Sequence, residues 1–524
     1  AFGYAVSPPS ASLVAACCLA VERPVSLEFS YPEHQYFTGK RAAGYSNVRL
    51  AADKDGKIQG YEFDALLDVG GYSHMVELYV CKGLSLHGFG YNVPSMMGLF
   101  KMAHSNISYA TTYRAFVETQ TAVPSESIVD MMAEKIGMDP FEFRYKNIAR
   151  PGDLTVNNRP WREYPLEGLM DMMRPKYEAA VEKARRESTP DKRRGVGIAI
   201  GGFHTAGPGD DGYVDLELCA DDTFVMYNTW EDMGQHAESG ALMHTYEALR
   251  PLNVPLEKIK LVSNDSKLCP DTGIAGGSRS HWTVGRATFD AAAKLMDAMR
   301  KPDGGYRTYE QMVAEGIPTR YQGASVVPRE FGMLDPNTGE GEAFPETMYV
   351  VWMSEVEVDV ATGRTKVLAL KAASDVGVIG NLQGVEGQAY GGMSHCLGFA
   401  LKTDFRDMEK HATMKGAGIT EIEDMPDDIE LLWQETPRAI EPHGSAGASE
   451  CFQSALHVAI LNAISSAVGV RITELPASPA KVKAGIEAKA RGEEAATPAY
   501  YLGPDFYEEI DHLAKHPVSW EAGD

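Results

Sequence analysis

An α+β fold of two elongated mixed α/β domains is what this sequence predicts, and three observations carry the prediction. Strings that alternate apolar and polar residues, clearest at 348–360 and 57–67, read as strands with one buried face. Segments with helical spacing, such as 166–186 and 284–300, lie between those strings rather than apart from them. Finally, 524 residues exceed what a single core ordinarily holds. Arg150-Pro151-Gly152-Asp153 and the polar stretch after it, to Glu163, mark a boundary. The expected division is 1–160, 161–490, and a tail over 491–524.

In chain order, Ser10 caps a helix through Leu13, Val14, Cys17, Cys18 and Val21, which Arg23-Pro24 ends. Residues 25–29 alternate and predict a strand. Strands over 47–52 and 57–67 are joined by Asp53-Lys54-Asp55-Gly56, a hairpin turn. Helices follow over 126–136 and 141–147, the second with Pro140 at its first position. Beyond the boundary come a charged helix over 166–186, strands over 195–201, 212–219 and 224–228, and helices over 240–249 and 284–300. Residues 303–345 read as surface loop, before strands over 348–360 and 366–371 joined by Ala361-Thr362-Gly363-Arg364. A last apolar helix is spaced through Ala455, Val458, Ala459, Leu461, Ile464 and Val468.

Composition narrows the function. The formal net charge of −24 argues against nucleic acid and anionic membrane as partners. Hydrophobic content of 44% suits globular packing, and no uninterrupted apolar run reads as a membrane span. The seven cysteines include no C-x-x-C pair, so neither a zinc ribbon nor an iron–sulfur cluster is encoded. An odd, sparse set suits a reducing compartment, and the expected location is cytoplasmic. No signal peptide is visible, and the opening at Ala1 predicts a fragment or processed subunit.

Three glycine-rich stretches carry the chemistry. Gly444-Ser445-Ala446-Gly447-Ala448-Ser449-Glu450-Cys451-Phe452 lets backbone approach a ligand closely and ends on one carboxylate before a helix. Glu450 either complements that helix dipole or faces what the loop embraces. Gly234-Gln235-His236 and Gly276-Gly277-Ser278-Arg279 each precede a helix, where open amides suit an anion. The plain alternative for the second is a helix cap. Gly195-Val196-Gly197-Ile198-Ala199-Ile200-Gly201 is not a dinucleotide fingerprint, because no helix-forming run follows it.

The Glu450 loop resembles the one carrying the active-site glutamate in the molybdenum-binding large subunit of the xanthine oxidase family. The resemblance runs over nearly all of the chain and is strongest to bacterial molybdenum aldehyde oxidoreductases. Val-Glu-Val-Asp-Val-Ala-Thr-Gly over 356–363, Gly276-Gly277-Ser278-Arg279, and Asp-Pro-Phe-Glu-Phe-Arg-Tyr-Lys-Asn over 139–147 carry it best. It implies that Phe2 and Gly3 lie against the molybdenum. It also implies that Arg114, Gly234, Gln235, His236, Gly276, Gly277, Ser278, Arg279, Gln388, Ala448 and Ser449 hold the cofactor, with Gln388 starting a helix. Met75, Leu78 and Phe116 fall where the family lines its substrate channel. A closing strand and helix are implied at 472–475 and 479–488. Alanine, valine and histidine stand at 115, 117 and 236, where the family has glycine. His395-Cys396 replaces a later Gln-Gly.

The implied cofactor is molybdenum–molybdopterin in its cytosine dinucleotide form, with the metal held by the pterin dithiolene and by no side chain. The implied reaction is oxidative hydroxylation with water as oxygen source, most simply aldehyde to carboxylic acid, with Glu450 as base. Electrons would leave through 2Fe-2S clusters, and possibly FAD, on partner chains that also supply the rest of the molybdenum domain within an oligomer. The rival readings are hydroxylation of an N-heterocycle, using His236, Glu118 and His281, and a non-catalytic scaffold. Tyr500, Tyr501, Phe506 and Tyr507 of the tail are expected to dock on a partner.

Overall fold

The computed structural model describes residues 9–72, 75–328, 330–407, 409–441, 443–493 and 505–518. The first portion contains α1 (Pro9–Val21), α2 (Tyr31–Phe37), β1 (Ala43–Ala52), β2 (Ile58–Gly70), α3 (Val76–Leu86), β3 (Met96–His104), α4 (Glu118–Ile136) and α5 (Pro140–Asn147). The second begins with α6 (Leu166–Glu187), β4 (Lys192–Thr205), β5 (Gly212–Leu218), β6 (Phe224–Asn228), α7 (Ala237–Ala248), β7 (Ile259–Ser263), α8 (Ser280–Met299), α9 (Tyr309–Ala314) and β8 (Arg320–Ser325). It continues with β9 (Glu346–Asp359), β10 (Thr365–Asp375), α10 (Leu382–Leu401), β11 (Asp428–Gln434), α11 (Leu456–Val468) and α12 (Pro479–Ala490), and α13 (Phe506–Lys515) lies in the tail. These elements form three mixed sheets, ordered β1-β2-β3, β11-β10-β9-β4 and β7-β6-β5-β8.

The β1–β2 hairpin forms because Asp53 Oδ1 accepts the N–H groups of Asp55 and Lys57, each at 2.9 Å, and closes the turn. The central element is α11, mostly apolar and buried over ten residues. It lies directly on β4, which explains the glycines there. A methyl at Gly197 would come within 2.1 Å of the Ala459 carbonyl oxygen, so only glycine admits the helix at this separation. By length and composition the stretch Cys451–Val468 would pass for a membrane span, although Gln453, His457 and Asn462 interrupt its apolar run. It is 83% buried inside the fold, as the core helix of a globular protein is.

Packing continues across the 160/161 division. One core joins Leu67, Ala115 and Val117 to Trp352, Leu370 and Ile460. A second joins Ile58 and Phe141 to Met170 and Ile198. Three sequence expectations change. Residues 25–29 and 472–475 form no strand, since each is a short run with no strand beside it among the described residues. The stretch 303–345 contains α9 and β8, the latter paired with β5 from Gly212↔Ser325 to Glu217↔Arg320. In the tail, Phe506 docks on this chain itself. It is 1% exposed and packs with Leu99, while Lys101 bridges to Glu509 at 3.0 Å. Tyr507 likewise meets Glu62 of β2, 3.3 Å away. Tyr500 and Tyr501 lie outside the described residues, as do Phe2 and Gly3.

Candidate active site

A cavity of about 520 Å³ opens where five chain segments converge. They are the Glu450 loop, the turns before α7 and α8, the start of α10, and the segment before α4. Of the residues singled out in the sequence, Arg114, Gln235, His236, Gly276, Gly277, Ser278, Gln388, Ala448, Ser449 and Glu450 all line it.

Glu450 does not cap a helix. It precedes a short 3₁₀ turn (Cys451–Gln453), and α11 begins only at Leu456. Its carboxylate reaches across to other segments instead. Oε1 accepts the Ala115 N–H at 3.0 Å, and Oε2 accepts the Ser278 hydroxyl at 3.1 Å. The Ser278 Oγ in turn accepts the Glu450 N–H at 3.2 Å. With 5% exposure, burial pushes the Glu450 carboxyl above its ordinary range. The charge of Lys82, the Ser278 and Ala115 donors and Arg114 oppose that push.

Arg114 ties two walls of the cavity together. Its Nε donates to the Ser449 carbonyl at 2.7 Å, and its Nη2 donates to the Gln388 carbonyl at 2.7 Å. Burial lowers its pKa to about 10, so it stays charged at neutral pH. Beneath the loop, Gly447 N–H donates to Glu346 Oε2 at 3.3 Å. Burial holds the Glu346 carboxyl well above its usual range, and its charge helps raise Glu441 as well. A carboxyl raised by folding contributes stability that is complete at acid pH and lost as pH climbs from about 4.5 to about 8. The melting midpoint of the wild type should therefore fall between pH 5 and pH 9, and fall less in Glu346→Gln. Equal falls would show that Glu346 is not the group responsible.

The far side of the cavity holds three imidazoles. His244 Nε2 and His281 Nδ1 are 3.2 Å apart, and His281 Nε2 lies 2.6 Å from Ser445 Oγ. His443 stacks on His244 with ring centroids 6.1 Å apart. Burial is the main cause that lowers all three, His281 to about 4, so all are neutral at pH 7. His244 and His443 were missed in the sequence because they stand in no motif and only the fold brings them beside His281, and Ser445 stood in the Glu450 loop with no role assigned to it.

Several expected site residues lie elsewhere. Arg279 is 4% exposed and faces away from the cavity: Nε pairs with Asp210 at 2.9 Å and Nη1 donates to the Ile274 carbonyl at 2.8 Å. It clamps the glycine-rich turn from behind rather than offering charge to a ligand. Gly234 adjoins the cavity but does not line it. Met75, Leu78 and Phe116 are also absent from the lining; Leu78 packs in the core, and Phe116 is 3% exposed within a ring cluster. Gln388 does not start its helix, because Asn381 caps α10 by accepting the Gly384 N–H. Glu118 is buried in the first turn of α4, outside the cavity.

Positions 115, 117 and 236 explain the missing glycines. Ala115, Val117 and His236 keep positive φ, at 53°, 68° and 64°, and Ser278 joins them at 58°. The backbone holds the left-handed geometry although the residues are not glycine. Such strain persists only where surrounding structure imposes it. Ala115→Gly should stabilise the fold by roughly 1 kcal/mol, since it removes the left-handed penalty for one methyl. An unchanged or lower melting midpoint would refute that.

The cavity suits an anionic, hydrogen-bonding ligand. Helices α7 and α8 have no side-chain cap, so their first-turn N–H groups stay open where the cavity wall meets them. Gly277 faces open space, where an added methyl would meet nothing nearer than Glu450 Oε2 at 4.0 Å. The buried His443 Nε2 has no hydrogen-bond partner among the described residues. An elongated pterin with a phosphate-bearing tail matches all three features.

Models of the molybdopterin cofactor-binding domain match residues 1–148 and 172–426. The chain is 41% identical over 488 residues to an aldehyde oxidoreductase of Megalodesulfovibrio gigas, covering 93% of this chain and 54% of that protein. It is 23% identical over 498 residues to a xanthine dehydrogenase of Dictyostelium discoideum, covering 87% of this chain and 35% of that one. The solved structure of an aldehyde oxidoreductase from Desulfovibrio gigas superposes with a TM-score of 0.90 at 40% identity, over 93% of this chain and 54% of that chain. This chain thus spans only about half the length of that enzyme.

Proposed function

The chain belongs to the xanthine oxidase family of molybdopterin-binding proteins, and from that premise we propose that it forms the catalytic half of an aldehyde oxidoreductase. The observation that carries this reading is the buried Glu450 carboxylate at the cavity wall, set by donors from two other segments. When bound, a molybdopterin supplies the redox-active metal that takes two electrons from the substrate. Gln235, Gly276, Gly277, Gln388, Ala448 and Ser449 would hold it, with Arg114 fixing the spacing between the last two walls. Its nucleotide would be of the cytosine dinucleotide form.

Glu450 does the proton work of this chain. Its Oε atoms take up the proton that water sheds as its oxygen bonds to the aldehyde carbon. The Ala115 and Ser278 donors fix the carboxylate in place, so no reorganisation is needed at that moment. Burial excludes bulk water from the same point. The electrons would leave to 2Fe-2S clusters on a partner that also completes the molybdenum domain, with FAD as a further acceptor. Of the residues the N-heterocycle alternative calls on, His236 and His281 line the cavity and Glu118 stands outside it.

The test is turnover of the assembled enzyme on a panel of aldehydes and N-heterocycles in ¹⁸O-labelled water. Label in a carboxylic acid product supports the proposal. Oxidation of heterocycles with aldehydes untouched would replace it with the alternative, and no turnover by metal-loaded enzyme would favour the scaffold.

A further inference from the structure

Inside the fold lies a buried amine, lowered by burial to about 7, that the proton chemistry above does not use. Lys82 of α3 is 2% exposed. Its Nζ donates to the carbonyl of His204 and sits 3.8 Å from the Phe203 ring centroid, 4.3 Å from that of Phe344 and 5.4 Å from that of Phe116. Among the described residues no carboxylate lies within 4 Å of it. An ammonium removed from water with no ion pair is costly, so something must offset the cost. Aromatic faces and one carbonyl supply part of it.

Lys82 is linked to the two chain segments that carry the donors of Glu450, to one through β4 and to the other through Phe116. On one side it holds His204, whose neighbour Thr205 donates to the Gly277 carbonyl, directly before Ser278. On the other it faces Phe116, directly after Ala115. We propose that Lys82 is the positioning residue of Glu450: it supplies the carboxylate's countercharge and braces the two segments that hydrogen-bond it. This rests on Glu450 acting as the base.

The electrostatics of the two groups match the pairing. Lys82 is the first influence that opposes the effect of burial on Glu450, and Glu450 is the first that opposes burial on Lys82. The other groups facing Glu450 are Arg114 and the Ala115 N–H ahead of α4, Ser278 ahead of α8, and Arg41 ahead of β1. Those facing Lys82 are Asp210, Glu118 and Cys81. Asp210 is already engaged by Arg279 at 2.9 Å, which leaves Glu118 as the competing carboxyl.

The test reads ionisation on the full chain, without turnover. Infrared titration follows the protonated-carboxyl band that Glu450→Gln removes. In Lys82→Met its midpoint should move up by at least one pH unit, a tenfold weaker acid, and Lys82→Arg should restore most of that shift. Coupling is reciprocal, so Glu450→Gln should move the Lys82 ammonium, followed by side-chain NMR, down by a similar amount. If Lys82→Met fails to fold, the Glu450→Gln arm decides alone. A Glu450 midpoint unmoved in folded Lys82→Met, or a Lys82 midpoint unmoved in Glu450→Gln, overturns the proposal. A coupling found together with normal turnover in Glu450→Gln would sink the base assignment and leave the pairing intact.

Discussion

Glu450→Gln is expected to lower turnover by on the order of 10²–10⁴ while leaving the fold and the cofactor content unchanged. Glutamine keeps the shape of the side chain. Its oxygen can still accept the Ala115 N–H, and its amide can meet Ser278 Oγ, so the loop has no reason to move. What disappears is the ability to take a proton. The pH profile gives a second check. A base works only when ionised, and burial holds the Glu450 carboxyl above 4.5. Activity should therefore fall as pH drops through a value higher than that of an ordinary glutamate, and the acid limb should vanish from the residual activity of the variant. Near-normal turnover in a fully loaded variant would show that the carboxylate is structural.

Gly447→Ala should be the most damaging single methyl in the loop. The added carbon would stand 2.0 Å from the Ser278 carbonyl oxygen and 3.1 Å from its Cβ. Backbone on one side and a buried carboxyl on the other leave no flexible group to yield. The loop must withdraw from Ser278, which breaks the bond that fixes Glu450 Oε2. Overpacking of this kind costs about 1–3 kcal/mol. Displacement of the base by about 1 Å should cost on the order of 10² in turnover. Gly332→Ala, where a methyl meets nothing within 4 Å, should cost neither. Equal melting midpoints and rates for both variants would mean that the loop is not held where the structure places it.

Much of this site was legible in the sequence because glycine-rich turns before helices have a direct physical meaning. Gly276-Gly277-Ser278 and Gln235-His236 were found that way, and both turns line the cavity. The limits were equally physical. Nothing local distinguishes an arginine that meets a ligand from one that clamps its own turn, so Arg279 was misplaced. Lys82 lies within an apolar helix, and only tertiary packing brings its amine to the His204 carbonyl and the rings of Phe203 and Phe344. The imidazole group is assembled from α7, α8 and the Glu450 loop, a convergence no periodicity reports. The strands at 25–29 and 472–475 failed for want of a neighbouring strand, since alternation records a face without naming a partner.

The helical core was read for its spacing, but its role needed the structure. Gly195 and Gly197, set aside in the sequence as a dinucleotide fingerprint and read as strand, are the seat of α11. That seat places the Glu450 loop over the end of the central sheet, where Val378 N–H bonds the Gly444 carbonyl at 2.9 Å and Ala446 N–H bonds the Val376 carbonyl at 2.9 Å.

Metal and pterin analysis of the natively purified, assembled protein tests the proposed cofactor site most directly. We expect about one pterin and one molybdenum per chain, both lost together when the Arg114 bridge is removed in Arg114→Met. A correctly assembled protein that contains neither would contradict the assignment.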